Sequence, residues 1–239
     1  MFPIRDSVRS ESTPVITRGW VIVNALVFLM ELALSHQGRE QLFYLFGIVP
    51  ARFTHPDWAA SVGFPVGNYW PLLTHQFLHG GWLHIISNMW ALWIFGDNVE
   101  DRMGSFRFLI FYLLCGVAAG LTQMLSSPSS TVPSVGASGA IAGVLGAYLL
   151  LFPKAWVEVV MPIWFYPLFF EIPAVVYLGF WFFSQLFSGT MALASPQQVG
   201  GIAWWAHVGG FVTGMLFCGI FIKRRRRPRP EPDEIEWRS

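Results

Sequence analysis

Charged residues are scarce in this chain, and their scarcity decides its class. Asp, Glu, Lys and Arg make up 12% of its 239 residues while 54% are hydrophobic; soluble domains carry roughly 25% charged residues. That balance excludes an ordinary water-soluble domain and fits a chain solvated by lipid. Cysteine is almost missing too. Cys115 and Cys218 both lie within apolar runs, where a thiol is a small buried hydrophobe rather than half of a disulfide. Metal chemistry lacks its parts. His75-Gln76-Phe77-Leu78-His79 has the spacing of a zinc-hydrolase helix, but Gln76 stands where the glutamate base belongs. No Asp or Glu nearby offers a further ligand, so neither a metal nor a cofactor is expected. The connections at 126–137 and 188–201 carry no charge at all.

What is abundant is apolar and aromatic. Phe, Trp and Tyr reach 17%, and many of the 12 Trp sit at the ends of apolar runs, where interfacial belts form. Six stretches near 18–35, 80–97, 105–125, 138–152, 160–187 and 202–222 are candidate spans, by the length a bilayer requires. The cations then orient them. Arg5, Arg9, Arg18, Arg102, Arg107, Lys154 and the run Lys223 to Arg227 fall on one side, against Arg39 and Arg52 on the other. This bias predicts an all-α, multi-pass bundle with both termini cytoplasmic, without a nucleic-acid partner. The chain divides into a leader at 1–17, a six-helix region at 18–222 and a tail at 223–239. The leader and later spans favour an uncleaved anchor over a signal peptide.

Three irregularities bear on function. The segment 36–79 is a long external loop rich in Phe, Trp, Pro and His, and loops of that length usually have a role. The fourth span, Ser138 to Pro153, is too short to cross the hydrocarbon core, so its start lies below the outer surface, beside protein or a water-filled cavity. The tail opens on a basic run suited to anionic lipid and continues with alternating prolines and charges, a composition expected to be disordered.

Two polar residues stand where a membrane makes polarity costly: Ser138, in Gly136-Ala137-Ser138-Gly139, and His207, in Trp204-Trp205-Ala206-His207. Ser138 opens a helix, whose free N–H groups favour developing negative charge; by itself it also reads as an N-cap. Burial keeps an imidazole neutral and able to accept a hydroxyl proton, although a histidine bonded to a backbone carbonyl is the plainer reading. The glycines shift the balance. Gly210 and Gly214 follow His207, and Gly139, Gly143 and Gly146 give the fourth span a matching small face. Packing those faces closely brings hydroxyl and imidazole into range as a base-activated nucleophile. His84 and Asn88 share one face of the second span and suit either an oxyanion site with the Ser138 N–H or plain helix–helix bonding. His79 braces the loop. Glu31 and Glu171 are read as intramembrane acids with structural or gating roles, with Pro173 bending the fifth span.

Taken together, these motifs resemble the rhomboid family of intramembrane serine proteases. The resemblance covers about residues 15–222 and rests on Gly136-Ala137-Ser138-Gly139, on Ala206-His207-Val208-Gly209-Gly210 with Gly214, and on His79, His84 and Asn88. Glu100-Asp101-Arg102 looks like the family's E-x-R element after the second span. The resemblance implies a six-helix bundle with a short central fourth helix and a Ser138–His207 dyad without an acid. It implies an oxyanion site from His84 and Asn88, and a cap and gate from 188–201 and the fifth span. The substrates it implies are transmembrane segments of other membrane proteins; the compact chain without extra domains separately reads as bacterial, placed in an inner membrane. Two positions depart from the family. Trp70-Pro71 replaces a frequent Trp-Arg, and Ala142 stands where some members stack an aromatic ring on the histidine. The rival reading is a catalytically silent member that binds transmembrane clients; it needs the fold but not the dyad.

Overall fold

The computed structural model describes residues 1–65, 67–164, 166–194 and 202–223. The tail at 224–239, and 195–201 of the expected cap, lie outside the described residues. In chain order the elements are β1 (Phe2–Asp6), α1 (Val15–Ala33), α2 (His36–Phe46), α3 (Pro50–Thr54), α4 (Pro56–Ser61), α5 (Pro71–Thr74), a 3-10 turn (His75–Phe77) and α6 (Trp82–Met103). They continue through α7 (Ser105–Ser126), α8 (Ser138–Leu151), β2 (Trp156–Ile163), β3 (Tyr166–Pro173), α9 (Ala174–Ala194) and α10 (Trp204–Phe221). Among the described residues, α1, α7, α9 and α10 are long and apolar enough to cross a membrane. α6 has 22 residues but is less apolar, because it carries Asp97 to Arg102 in its last turns.

α8 is the axis of the packing. Its 14 residues rise only about 21 Å, short of the roughly 30 Å hydrocarbon core. Gly139 through Tyr148 are buried against α10, α7 and α6. Leu92, Phe95, Tyr112 and Phe211 fill the core around it, and Cys115 and Cys218 are free and buried.

Hydrogen bonds group the connections at two ends. At one, the Lys223 N–H reaches the Arg102 carbonyl at 2.9 Å and the Arg107 guanidinium reaches the Ile222 carbonyl at 3.0 Å. At the other, Ile48 bridges Ser134 and the Ala51 N–H reaches the Ser130 carbonyl at 2.9 Å. The long loop 36–79 is therefore largely helical and stitched to 126–137, which positions the start of α8.

The fifth span departs from the expected single helix. The expected helix over 160–187 begins only at Ala174; before it, β2 and β3 form an antiparallel hairpin to which β1 of the leader adds. The reason is local. Pro162 and Pro167 face each other in the hairpin and Pro173 closes it, and a proline inside a helix costs about 3 kcal/mol or more. Val157 and Val159 are buried while Trp156 is exposed, the alternation of a half-buried strand. Glu171 consequently lies outside the fifth helix: it is exposed on β3, paired in register with Glu158, whose carboxylate accepts from Arg5. Pro173 ends a strand rather than bending a helix. Glu100-Asp101-Arg102 lies inside the last turn of α6 rather than after it.

Candidate active site

The residues before Ser138 form a tight descent. The Gly136 N–H is held by the His75 carbonyl at 2.8 Å, and Gly136 has φ +132°, a left-handed value that favours glycine. A Cβ there would also lie 2.7 Å from His84 Nε2, so a side chain at 136 would fill the space beside the serine. Ser138 then starts α8, where the first N–H groups have no intrahelical partner.

Glycines set the distance to α10. A Cβ on Gly210 would strike the Gly139 carbonyl, and one on Gly214 the Gly143 carbonyl; the two backbones touch directly. At this separation Ser138 Oγ and His207 Nε2 are 2.7 Å apart. His207 is buried and Ser138 half-buried.

The other ring nitrogen faces a residue that sequence reasoning missed. His207 Nδ1 lies 2.7 Å from Gln185 Oε1 on α9. Trp181, one turn earlier on the same helix, has its ring 5.8 Å from the imidazole at 35°, and Trp204 meets it edge-on at 6.3 Å. The signal was present in sequence. Gln185 is the one side-chain amide in the largely apolar Ala174–Ala194, four residues after a Trp and hence on its face. At Ala142, no ring reaches His207 from α8.

The remaining candidates divide. His84 borders Gly136 beside the serine, accepts from the Gly80 N–H at 3.4 Å, and has its ring 5.1 Å from that of His79. Asn88 is one turn further along α6, buried, and its Nδ2 has no partner among the described residues. The His79 N–H donates to the Glu31 carboxylate at 3.1 Å, tying the loop to α1. Burial, with a smaller contribution from neighbouring His84, holds the His79 imidazole down to about 3; burial holds His75 down to about 4. Both rings are neutral at physiological pH. Glu100 and Arg102 are elsewhere: Glu100 is 16 residues beyond His84 on the same helix, roughly 24 Å along its axis. No group of three or more His, Cys, Asp or Glu converges on a metal position among the described residues.

The arrangement has relatives. Residues 66–224 match the model of the Rhomboid domain. The chain is 47% identical over 83 residues to Rhomboid protease GluP of Bacillus subtilis, covering 35% of this chain and 16% of that protein. It is 31% identical over 156 residues to RHOMBOID-like protein 6, mitochondrial, of Arabidopsis thaliana, covering 64% and 43%. Rhomboid protein 1, mitochondrial, of Saccharomyces cerevisiae is 30% identical over 157 residues, covering 64% and 42%. The chain thus spans less than half the length of each of these relatives.

Proposed function

Because the chain belongs to the rhomboid family and is an integral, multi-pass membrane protein, we propose that it is an intramembrane serine endopeptidase acting on transmembrane segments of other proteins. The observation that carries the reading is the 2.7 Å contact between Ser138 Oγ and His207 Nε2 at the start of a buried helix. The proposed topology counts α1, α6, α7, α8, α9 and α10 as six crossings with α8 central. Both termini are then cytoplasmic, and a bacterial inner membrane is the proposed location.

In the proposed reaction Ser138 Oγ attacks the scissile carbonyl carbon as His207 Nε2 takes the hydroxyl proton. The resulting oxyanion is held by the Ser138 N–H with His84 and Asn88. Collapse breaks the C–N bond, and His207 returns its proton to the leaving amine. Water then attacks the acyl-enzyme carbonyl, losing a proton to His207; collapse breaks the ester C–Oγ bond, and His207 returns that proton to Ser138 Oγ, releasing the carboxylic acid. Preorganised donors of this kind contribute about 3–4 kcal/mol each, and no acid is needed for the proton bookkeeping.

The test reconstitutes wild type, Ser138→Ala and His207→Ala in liposomes with a transmembrane substrate. Cleavage by the wild type alone, unaffected by chelators, supports the dyad; robust cleavage by Ser138→Ala rejects it. A wild type that binds the substrate without cutting it and resists fluorophosphonate labelling favours the client-binding reading.

A further inference from the structure

We infer that Gln185 is a positioning residue that fixes His207 in the tautomer able to accept the Ser138 proton, a role that rests on the protease reading above. Hydrogen-bond polarity fixes the tautomer. Gln185 is 6% exposed, and its Nε2 donates to the Trp181 carbonyl at 3.2 Å and to Ser184 Oγ at 2.9 Å. A peptide carbonyl can only accept, so the NH₂ end of the amide must face it. The oxygen end therefore faces His207 Nδ1, and an amide oxygen can only accept, so Nδ1 carries the proton. A neutral imidazole has one N–H. Nε2 is left with its lone pair directed at Ser138, 2.7 Å away, as a general base requires.

Without Gln185, a buried Nδ1–H has no acceptor, and the proton gains by moving to Nε2, where it blocks the serine. An amide supplies this orientation without charge. It sets geometry and tautomer but gives the imidazolium none of the electrostatic support that a carboxylate gives. Trp181 complements it, supplying from α9 the ring that Ala142 does not supply from α8. Since Trp181 and Gln185 occupy one face of α9, and the Gly189 carbonyl accepts from Trp205 Nε1 at 3.2 Å, the imidazole is oriented only while α9 is docked on α10. Displacing α9 disarms the dyad without touching Ser138.

The experiment compares the full-length wild type, Gln185→Met and Gln185→Glu in liposomes. It measures kcat, KM, the pH–rate profile, fluorophosphonate labelling and thermal unfolding. Gln185→Met keeps the volume but removes the acceptor; kcat falls about 10–100-fold, the range for losing a group that orients a histidine, with KM and Tm near wild type. Gln185→Glu keeps an acceptor on Nδ1–H, restores most of the rate above neutral pH, and moves the acid limb of the profile upward, because a carboxylate favours the imidazolium. A Gln185→Met enzyme with wild-type kcat and profile overturns the inference. If that variant fails to fold, an unmoved acid limb in Gln185→Glu overturns it instead. Both failures leave a wild type that cleaves and labels, so the protease reading survives them. A wild type that neither cleaves nor labels removes that reading and this one together.

Discussion

Glu100 caps a helix that begins 85 residues before it in the chain. Its carboxylate accepts the N–H of Thr17 at 2.8 Å and of Ile16 at 2.9 Å, together with the hydroxyls of Thr17 and Ser105 at 2.8 and 2.7 Å. α1 has no acid in its own first turn and no side-chain cap, so α6 supplies both from the core, where Glu100 is 1% exposed. Hydrogen bonds to a charged group contribute about 1.5–3 kcal/mol each, and orphaned buried donors cost more. Glu100→Ala should therefore lose about 3–5 kcal/mol of stability, measured by thermal or denaturant unfolding in detergent. Material that stays folded should retain wild-type kcat, since His84, the α6 residue beside the serine, is about 24 Å away along the helix axis. A large fall in kcat with an unchanged Tm would overturn the capping role.

The α8–α10 contact makes a sharper demand. Gly210→Ala places a methyl group against the Gly139 carbonyl, which is backbone and cannot rotate aside. Overpacking of this kind costs about 1–3 kcal/mol, and the helices must part to accept it. Parting them lengthens the Ser138–His207 contact, and misplacement by about 1 Å can cost about 10² in rate. Activity should fall further than the loss of folded protein explains, read as kcat per fluorophosphonate-reactive or folded molecule. Equal losses in the two measurements would mean that the glycine serves stability alone.

These two cases indicate what was legible in the chain. The glycine faces and the polar pair at 138 and 207 follow local rules: helical period, small-residue spacing and the cost of polarity in lipid. Those rules locate the candidate site. They do not locate Gln185, whose significance depends on which face of α9 turns toward His207, a tertiary fact. Nor do they separate strand from helix over 156–173, where an apolar run satisfies either length criterion. There the signal was Pro162, Pro167 and Pro173, and hydropathy alone outweighed it. The extra sheet also depends on β1, which pairs with β2 from more than 150 residues away.

The oxyanion proposal makes its own prediction. Asn88 Nδ2 is buried without a partner among the described residues, and such a group in a native interior calls for a bound water or a catalytic role. If it meets the tetrahedral intermediate, Asn88→Ala lowers kcat by about 10²–10³ while KM and Tm stay near wild type. A change confined to Tm would assign Asn88 to packing. His84→Ala should behave similarly in kcat but also lower stability, since its ring packs on His79 and it accepts the Gly80 N–H.

Asp6 gives a pH dependence of stability that can be isolated. Its carboxylate, in β1, accepts from the Tyr148 hydroxyl and from Asn98 Nδ2 at 2.8 Å. Burial, with Asp97 nearby, pushes it up from 3.8 to about 6. Between those values the folded protein holds a proton that the unfolded chain has released. Its contribution is fully present below about 4 and is withdrawn as the pH rises through about 6. His75 and His79 act in the opposite sense. Held down at about 4 and about 3, they remain neutral when folded while the unfolded rings charge near 6.5, so stability falls as the pH drops. The two effects overlap in one window, and a single unfolding curve cannot separate them. The difference between wild type and Asp6→Asn can, because the histidines cancel. Asp6→Asn should gain stability relative to wild type as pH is raised from about 4 to about 6, then hold a constant offset above it. Tm series at half-unit pH intervals would test this, and a difference that stays flat across the window would mean that Asp6 titrates alike in both states.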